Sequence, residues 1–310
     1  MIKFWITKIF QYVKGLLKKK SQGIPKDIYT VVDRETFANP TVLDFYKALP
    51  FNFYSSIEKQ ADSVVKGRSN IEANPPLIPL LEKAQRVLDV GCGAGWLTNT
   101  IAYNYPCQVT GIDFNLVAVE RAQAVAQHLG LSSQIMEYDL FKFVPEEKFD
   151  LVISLGVLHH TDNCLGAIRH LLRHVLASNG KMYIGLYHKY GREPFLSYFE
   201  KLKTEKRDEN YLFEKYKELH SSLNNGTHLL SWFRDQVLHP HETQHTLEEV
   251  AGLLENEGAK LVSTSINKFQ PFEDPKKLFE MEKNYSQLGR DSLAKRRYFP
   301  GFFTFLIQKN

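Results

Sequence analysis

The residues of this chain whose types and spacing suit chemistry fall into three groups. In residues 87–97, VLDVGCGAGWL, an apolar run meets Gly91, Gly93 and Gly95 at alternate positions, with Asp89 just before them and Cys92 among them. Glycines let the backbone turn sharply and let a ligand approach bare main chain. Two acids, Asp113 and Asp139, each end an apolar run further on. A carboxylate accepts several hydrogen bonds, which suits paired hydroxyls or an amino group. The third group is rich in histidine: His159-His160, then Tyr187, His188, Tyr190 and Arg192, and finally His241-Glu242-Thr243-Gln244-His245. Histidine is the side chain best suited to take a proton near neutral pH.

The last run reads H-E-x-x-H, which binds zinc only when both histidines lie one turn apart on a helix. Pro240 precedes it, and Thr246-Leu247-Glu248-Glu249 is a capping box that starts a helix just after it. The histidines therefore fall in a loop or a broken turn, and no metal is expected; a different metal site on His239, His241 and His245 is the alternative. Residues 232–245 are expected to fold over a bound molecule, with Arg234 pairing with a substrate carboxylate or phosphate. The alternative is a surface network of mutually satisfied polar groups.

Strand-like runs occupy 86–90, 108–112, 133–138, 150–155 and 181–187, with helical patterns at 95–103, 115–129 and 164–175 between them. Strands alternating with helices imply a parallel sheet covered on both faces. Residues 191–245 break the rhythm and read as an insertion. A helix from Thr246 to near Gly258, a strand at 260–266, an irregular segment and a last strand at 302–308 follow.

D-x-G-x-G-x-G after a strand resembles the S-adenosylmethionine loop of class I (Rossmann-like) methyltransferases. Trp96 stands where a dinucleotide fingerprint needs a third small residue, so the helix start is not shaped for a pyrophosphate. The resemblance implies S-adenosylmethionine as cofactor, held by Asp89, Gly91, Cys92, Gly93 and Gly95. It places Asp113, with Phe114, at the ribose and Asp139-Leu140 at the adenine. Residues 149–160, FDLVISLGVLHH, are similar to the family's fourth-strand segment, with Leu155 lining the methionine end. The implied fold is a three-layer α/β sandwich. Its mostly parallel seven-stranded sheet has an antiparallel C-terminal hairpin edge, without a regular helix between the closing strands, and a helical N-terminal cap. The acceptor site is expected beyond the fifth strand, with His160 or His245 as base and Tyr187, Tyr190, Arg192, Arg234 and His241 as binding residues.

Composition bounds the function. The 310 residues are 43% hydrophobic, ample for a globular core, and the three cysteines have no C-x-x-C spacing. A reducing cytosol is the expected location. The net charge of +4 belongs to the first 20 residues, which hold six lysines and no acid; the rest has 33 basic and 35 acidic residues. A body near −2 argues against nucleic acid as partner. After the fourth strand the N-P-P-Y/F tetrapeptide of nucleic-acid amino-methylating enzymes is missing. Residues 1–22 pattern as a basic amphipathic helix, too interrupted by lysine to span a bilayer. It lies on a membrane surface, docks on the protein's own cap or a second subunit, or is disordered. Residues 23–84 then form the cap, and 85–310 the catalytic domain with a substrate lid at about 191–245. The expected activity is methyl transfer to a small molecule under that lid. The alternatives are a membrane-associated lipid or quinone acceptor, or a non-catalytic S-adenosylmethionine-binding regulator or subunit.

Overall fold

The computed structural model describes residues 39–220 and 226–310; the amphipathic segment 1–22 and the start of the cap, 23–38, lie outside them. Helix α1 (Pro40–Ala48) begins where the Asn39 side chain accepts from the Val42 amide and Pro40 fixes φ at the first position. Helices α2 (Ile57–Val65), α3 (Arg68–Glu72) and α4 (Leu77–Leu81) complete the described part of the cap. The alternation follows: β1 (Arg86–Val90), α5 (Trp96–Asn104), β2 (Gln108–Asp113), α6 (Leu116–His128), β3 (Gln134–Glu137), β4 (Phe149–Leu155), α7 (Cys164–His170) and β5 (Leu176–Tyr187).

The strands order as β3-β2-β1-β4-β5-β7-β6, where β6 is Ala259–Thr264 and β7 is Phe302–Lys309. Strand β7 runs antiparallel to both β5 and β6, while the pairs β1–β2, β1–β4, β2–β3 and β4–β5 are parallel. This is the expected sheet with its antiparallel edge. Side chains of a strand alternate between faces, and the core obeys that period. Leu88, Val152, Met182 and Ile184 pack with Ile168 and Leu254 on one face. Val87, Leu151, Ile153 and Tyr183 pack with Leu77, Leu81 and Ile101 on the other. Chain order reverses between β1 and β4, so a crevice opens outside the carboxyl ends of those strands.

Two sequence expectations need correction. The segment between β6 and β7 is not irregular. It holds α12 (Pro275–Glu282), capped by Asp274 with Pro275 at the first position, and α13 (Tyr285–Ala294). Only Leu278, Glu282 and Gly289 of these helices are buried, so their apolar periodicity is faint. The helix expected over 164–175 ends at His170 and continues as a π-helical turn, Leu171–Val175, because β5 already starts at Leu176.

The 191–245 segment is helical: α8 (Lys189–Thr204), α9 (Glu209–Leu219) and α10 (Gly226–Phe233), then a π-helical turn, Arg234–Leu238. The capping box forms, with Thr246 and Glu249 exchanging side-chain and backbone bonds at the start of α11 (Leu247–Asn256). No helix among the described residues is long and apolar enough to cross a membrane.

Candidate active site

The crevice is a cavity of about 460 Å³ whose walls come from both halves of the fold. One half is built at the ends of β1, β2 and β4. The amides of Gly91 and Cys92 donate to the Ile112 carbonyl at 2.8 and 3.0 Å, tying the glycine loop to β2. Asp113 ends β2; its two oxygens accept from the amides of Gly93 and Asn115, both at 2.8 Å. Burial pushes its carboxyl up to about 6 against those bonds. Asp89 accepts from the Thr98 hydroxyl at 2.6 Å, and burial pushes it up to about 7. Asp139 accepts from the Phe141 amide at 3.0 Å.

The loop fits a ligand at the main chain. Gly93 and Gly156 have φ of +52° and +77°, both line the cavity, and a Cβ on either would meet nothing within 4 Å. Backbone is thus bare on the cavity side at two points. A Cβ on Gly91 would instead strike Val157 at 2.4 Å, and one on Gly95 would strike Ala122 at 2.5 Å. Those two glycines serve close packing.

The other half is an aromatic and histidine wall. Tyr46 of α1 donates to Asp235 Oδ1 at 2.5 Å, and Tyr187 at the end of β5 donates to Oδ2 at 3.4 Å. His160 follows β4 in a short 3₁₀ turn; its Nδ1 lies 3.0 Å from the His241 carbonyl and its Nε2 3.8 Å from Asp235 Oδ1. A carbonyl only accepts, so Nδ1 carries the hydrogen and Nε2 the lone pair. Burial lowers this imidazole to about 4. Phe51 stacks on Trp232 with centroids 5.9 Å apart, and Trp232 Nε1 donates to Asn52 at 2.7 Å, closing α1 and its loop onto α10. Tyr298 donates to Gln236 on the approach to β7.

The structure brings Asp89, Gly91, Cys92, Gly93, Asp113, Phe114, Asp139, Leu140, Leu155, His160 and Tyr187 to this one cavity. It leaves other expected residues outside. Arg192 is fully buried behind the wall, bonded to Glu242 at 3.0 and 2.7 Å and stacked 3.9 Å from the Tyr187 ring. Arg234 packs over the Phe45 ring, 4.9 Å from its centroid, and bonds the Phe45 carbonyl. Tyr190 turns to His188. The H-E-x-x-H side chains diverge: His241 meets the Thr161 carbonyl, Glu242 meets Arg192, and His245 lies between Thr243 and Glu249. They stand before α11 rather than on it. Sequence reading missed Tyr46, Asp235 and Gln236 as lining residues. The one local signal was an acid and an amide, Asp235-Gln236, inside the apolar run around Trp232-Phe233 and Val237-Leu238.

A doubly flanked, mostly parallel sheet with an antiparallel edge, and a glycine loop facing carboxylates on the next two strands, define a nucleoside-binding α/β domain. Residues 81–250, more than half of the chain, match the family described as "Methyltransferase domain", and the chain belongs to it. Its domain has the class I methyltransferase fold. The chain is 37% identical over 100 residues to "Ribosomal RNA small subunit methyltransferase C" of Mannheimia succiniciproducens, covering 32% of this chain and 28% of the relative. It is 32% identical over 111 residues to "Ajmaline N-methyltransferase" of Rauvolfia serpentina, covering 34% and 37%. The chain thus spans well under half the length of these curated relatives. A solved structure of PKMT2 from Rickettsia typhi in complex with AdoHcy shares the fold. Its TM-score is 0.53 at 18% identity, over 73% of this chain and 49% of that one.

The carboxylate at Asp113 gives a direct check on the cofactor end. Asp113→Ala is expected to weaken S-adenosylmethionine binding by about 1–3 kcal/mol, the loss on unpairing buried polar groups. Isothermal calorimetry measures it, and an unchanged affinity would remove Asp113 from the cofactor site.

Proposed function

We propose that the protein transfers the methyl group of S-adenosylmethionine to a small molecule enclosed in the cavity. One observation supports this above the rest: a single cavity runs from Gly93 and Asp113 to His160 and Asp235, in the size range of small-molecule sites. The cofactor is held by the glycine loop with Asp89, Asp113, Asp139 and Leu140, and it supplies an electrophilic methyl on a sulfonium. The protein's own work is then to place the acceptor atom, exclude water and receive a proton. Tyr46, Phe51, Trp232 and Tyr298 exclude water from the acceptor end. His160 Nε2 is the proton acceptor, its ring fixed by the His241 carbonyl. Residues 39–52 and 232–236 act as the lid over the acceptor.

The pH behaviour of His160 follows from its burial. Lowered to about 4, the imidazole stays neutral as pH falls from 8 to 5 and takes its proton only below that. Its ring signals in an NMR titration are expected to stay flat across that window; a midpoint near the ordinary 6.5 would show a solvated ring. The substrate class is tested by incubating the protein with methyl-labelled S-adenosylmethionine and a cell extract. Label in the small-molecule fraction is expected. Label confined to RNA or protein would overturn the reading.

A further inference from the structure

Asp235 is a buried carboxyl with no cation in hydrogen-bond contact; burial pushes it up, and the phenol of Tyr46 and the more distant Arg192 offset this only in part. It is 7% exposed, and its hydrogen-bond donors are two phenols, Tyr46 and Tyr187, both kept neutral by burial. The basic group in reach, His160 Nε2 at 3.8 Å, is also neutral. His239 stacks on His160 with centroids 3.8 Å apart and is lowered to about 3 by burial. The charge of Arg192 is taken up by both oxygens of Glu242. Buried carboxylates are ordinarily matched by a cation or a metal, and the described residues contain no cluster able to hold a metal. His160 Nε2 is itself buried without a hydrogen-bond partner.

Two hydrogen-bond acceptors thus lie side by side in the cavity wall, His160 Nε2 buried without a partner and Asp235 with phenols alone as donors. The rings of Phe51, Trp232, Tyr298 and Phe302 line the same cavity. A hydroxyl has one hydrogen and satisfies one of the two acceptors. A protonated primary or secondary amine has at least one more, brings positive charge, and is attracted to aromatic faces. A carboxylate or phosphate would meet Asp235 with like charge.

Resting on the reading of this cavity as the acceptor site, we propose that the acceptor is an amine on an apolar or aromatic body, bound as a cation between Asp235 and His160. Its nitrogen gives an N–H proton to His160 Nε2. The electron pair left behind forms the N–CH3 bond, while the pair of the broken C–S bond leaves with the cofactor's sulfur. Asp235 sets specificity and His160 receives the proton.

Three probes sharing one ring and chain length separate the possibilities: 2-phenylethylamine, 2-phenylethanol and phenylacetate. Each is titrated by saturation-transfer NMR against the full chain with S-adenosylhomocysteine bound. The amine is expected to bind at least about tenfold tighter than the alcohol, with phenylacetate weakest. Asp235→Asn is expected to bring the amine to the level of the alcohol while leaving S-adenosylhomocysteine affinity unchanged. Equal or tighter binding of the alcohol or phenylacetate overturns the amine assignment alone, as does an amine preference that survives in Asp235→Asn. If none of the three binds saturably while S-adenosylhomocysteine does, the acceptor-site reading falls and takes this proposal with it. The comparison on the unmodified protein decides even if the variant does not fold.

Discussion

His160→Ala is expected to lower kcat by about 10²–10⁴-fold, the usual contribution of a positioned proton acceptor, and to leave S-adenosylhomocysteine affinity unchanged. The ring is held by the His241 carbonyl at 3.0 Å, stacks on His239 and lines the cavity, and its buried Nε2 has no hydrogen-bond partner. The loss is expected on kcat rather than on cofactor binding because the carboxylates expected at the cofactor, Asp89, Asp113 and Asp139, lie on or just after β1, β2 and β3, whereas His160 follows β4. Single-turnover measurement with a responsive acceptor separates the two. A reduction smaller than about tenfold would leave His160 as a wall residue with no proton to take.

Glu242→Ala is expected to destabilise the fold by about 3–5 kcal/mol, the cost of removing one partner from a buried ion pair. The Arg192 side chain is fully buried, and Glu242 is 12% exposed. Without Glu242 the guanidinium keeps one polar bond, to the Gln236 carbonyl, and its stacking on Tyr187 and Phe195. That is too little for a desolvated charge. Urea denaturation followed by circular dichroism measures the change. A loss under about 1 kcal/mol would mean that water reaches the pair and screens it.

The legibility of this protein in its sequence divides along the same line as its cavity. The cofactor half was readable because its determinants are local. Apolar runs end in glycine or aspartate at Val90, Ile112 and Tyr138, each marking where a strand stops and the crevice begins. The Thr246 capping box was equally local, four residues that state a helix start by themselves. On the opposite wall His160, Tyr187 and the 232–245 segment were legible, but the pairing of particular side chains was not. Tyr46 and Asp235 meet across 189 residues, and neither neighbourhood announces the other. Arg192 and Arg234 were misplaced for a related reason. Residue type marks a charge as wanting a partner but does not say whether that partner is a ligand, Glu242 or the Phe45 ring. Helices α12 and α13 went unseen because they bury too few side chains to leave an apolar stripe.

The sequence distance between Tyr46 and Asp235 has a kinetic meaning. Strands β1 to β4 and their glycine loop come together within a short stretch of chain. The acceptor wall closes only when segments 189 and 180 residues apart are joined, by Tyr46 to Asp235 and by Asn52 to Trp232. Long loops are entropically slow to close, so such contacts form late. A nascent chain thus acquires its nucleoside pocket before its acceptor chamber exists. The wall that joins Tyr46 to Asp235 is in this sense the last part of the cavity to be built.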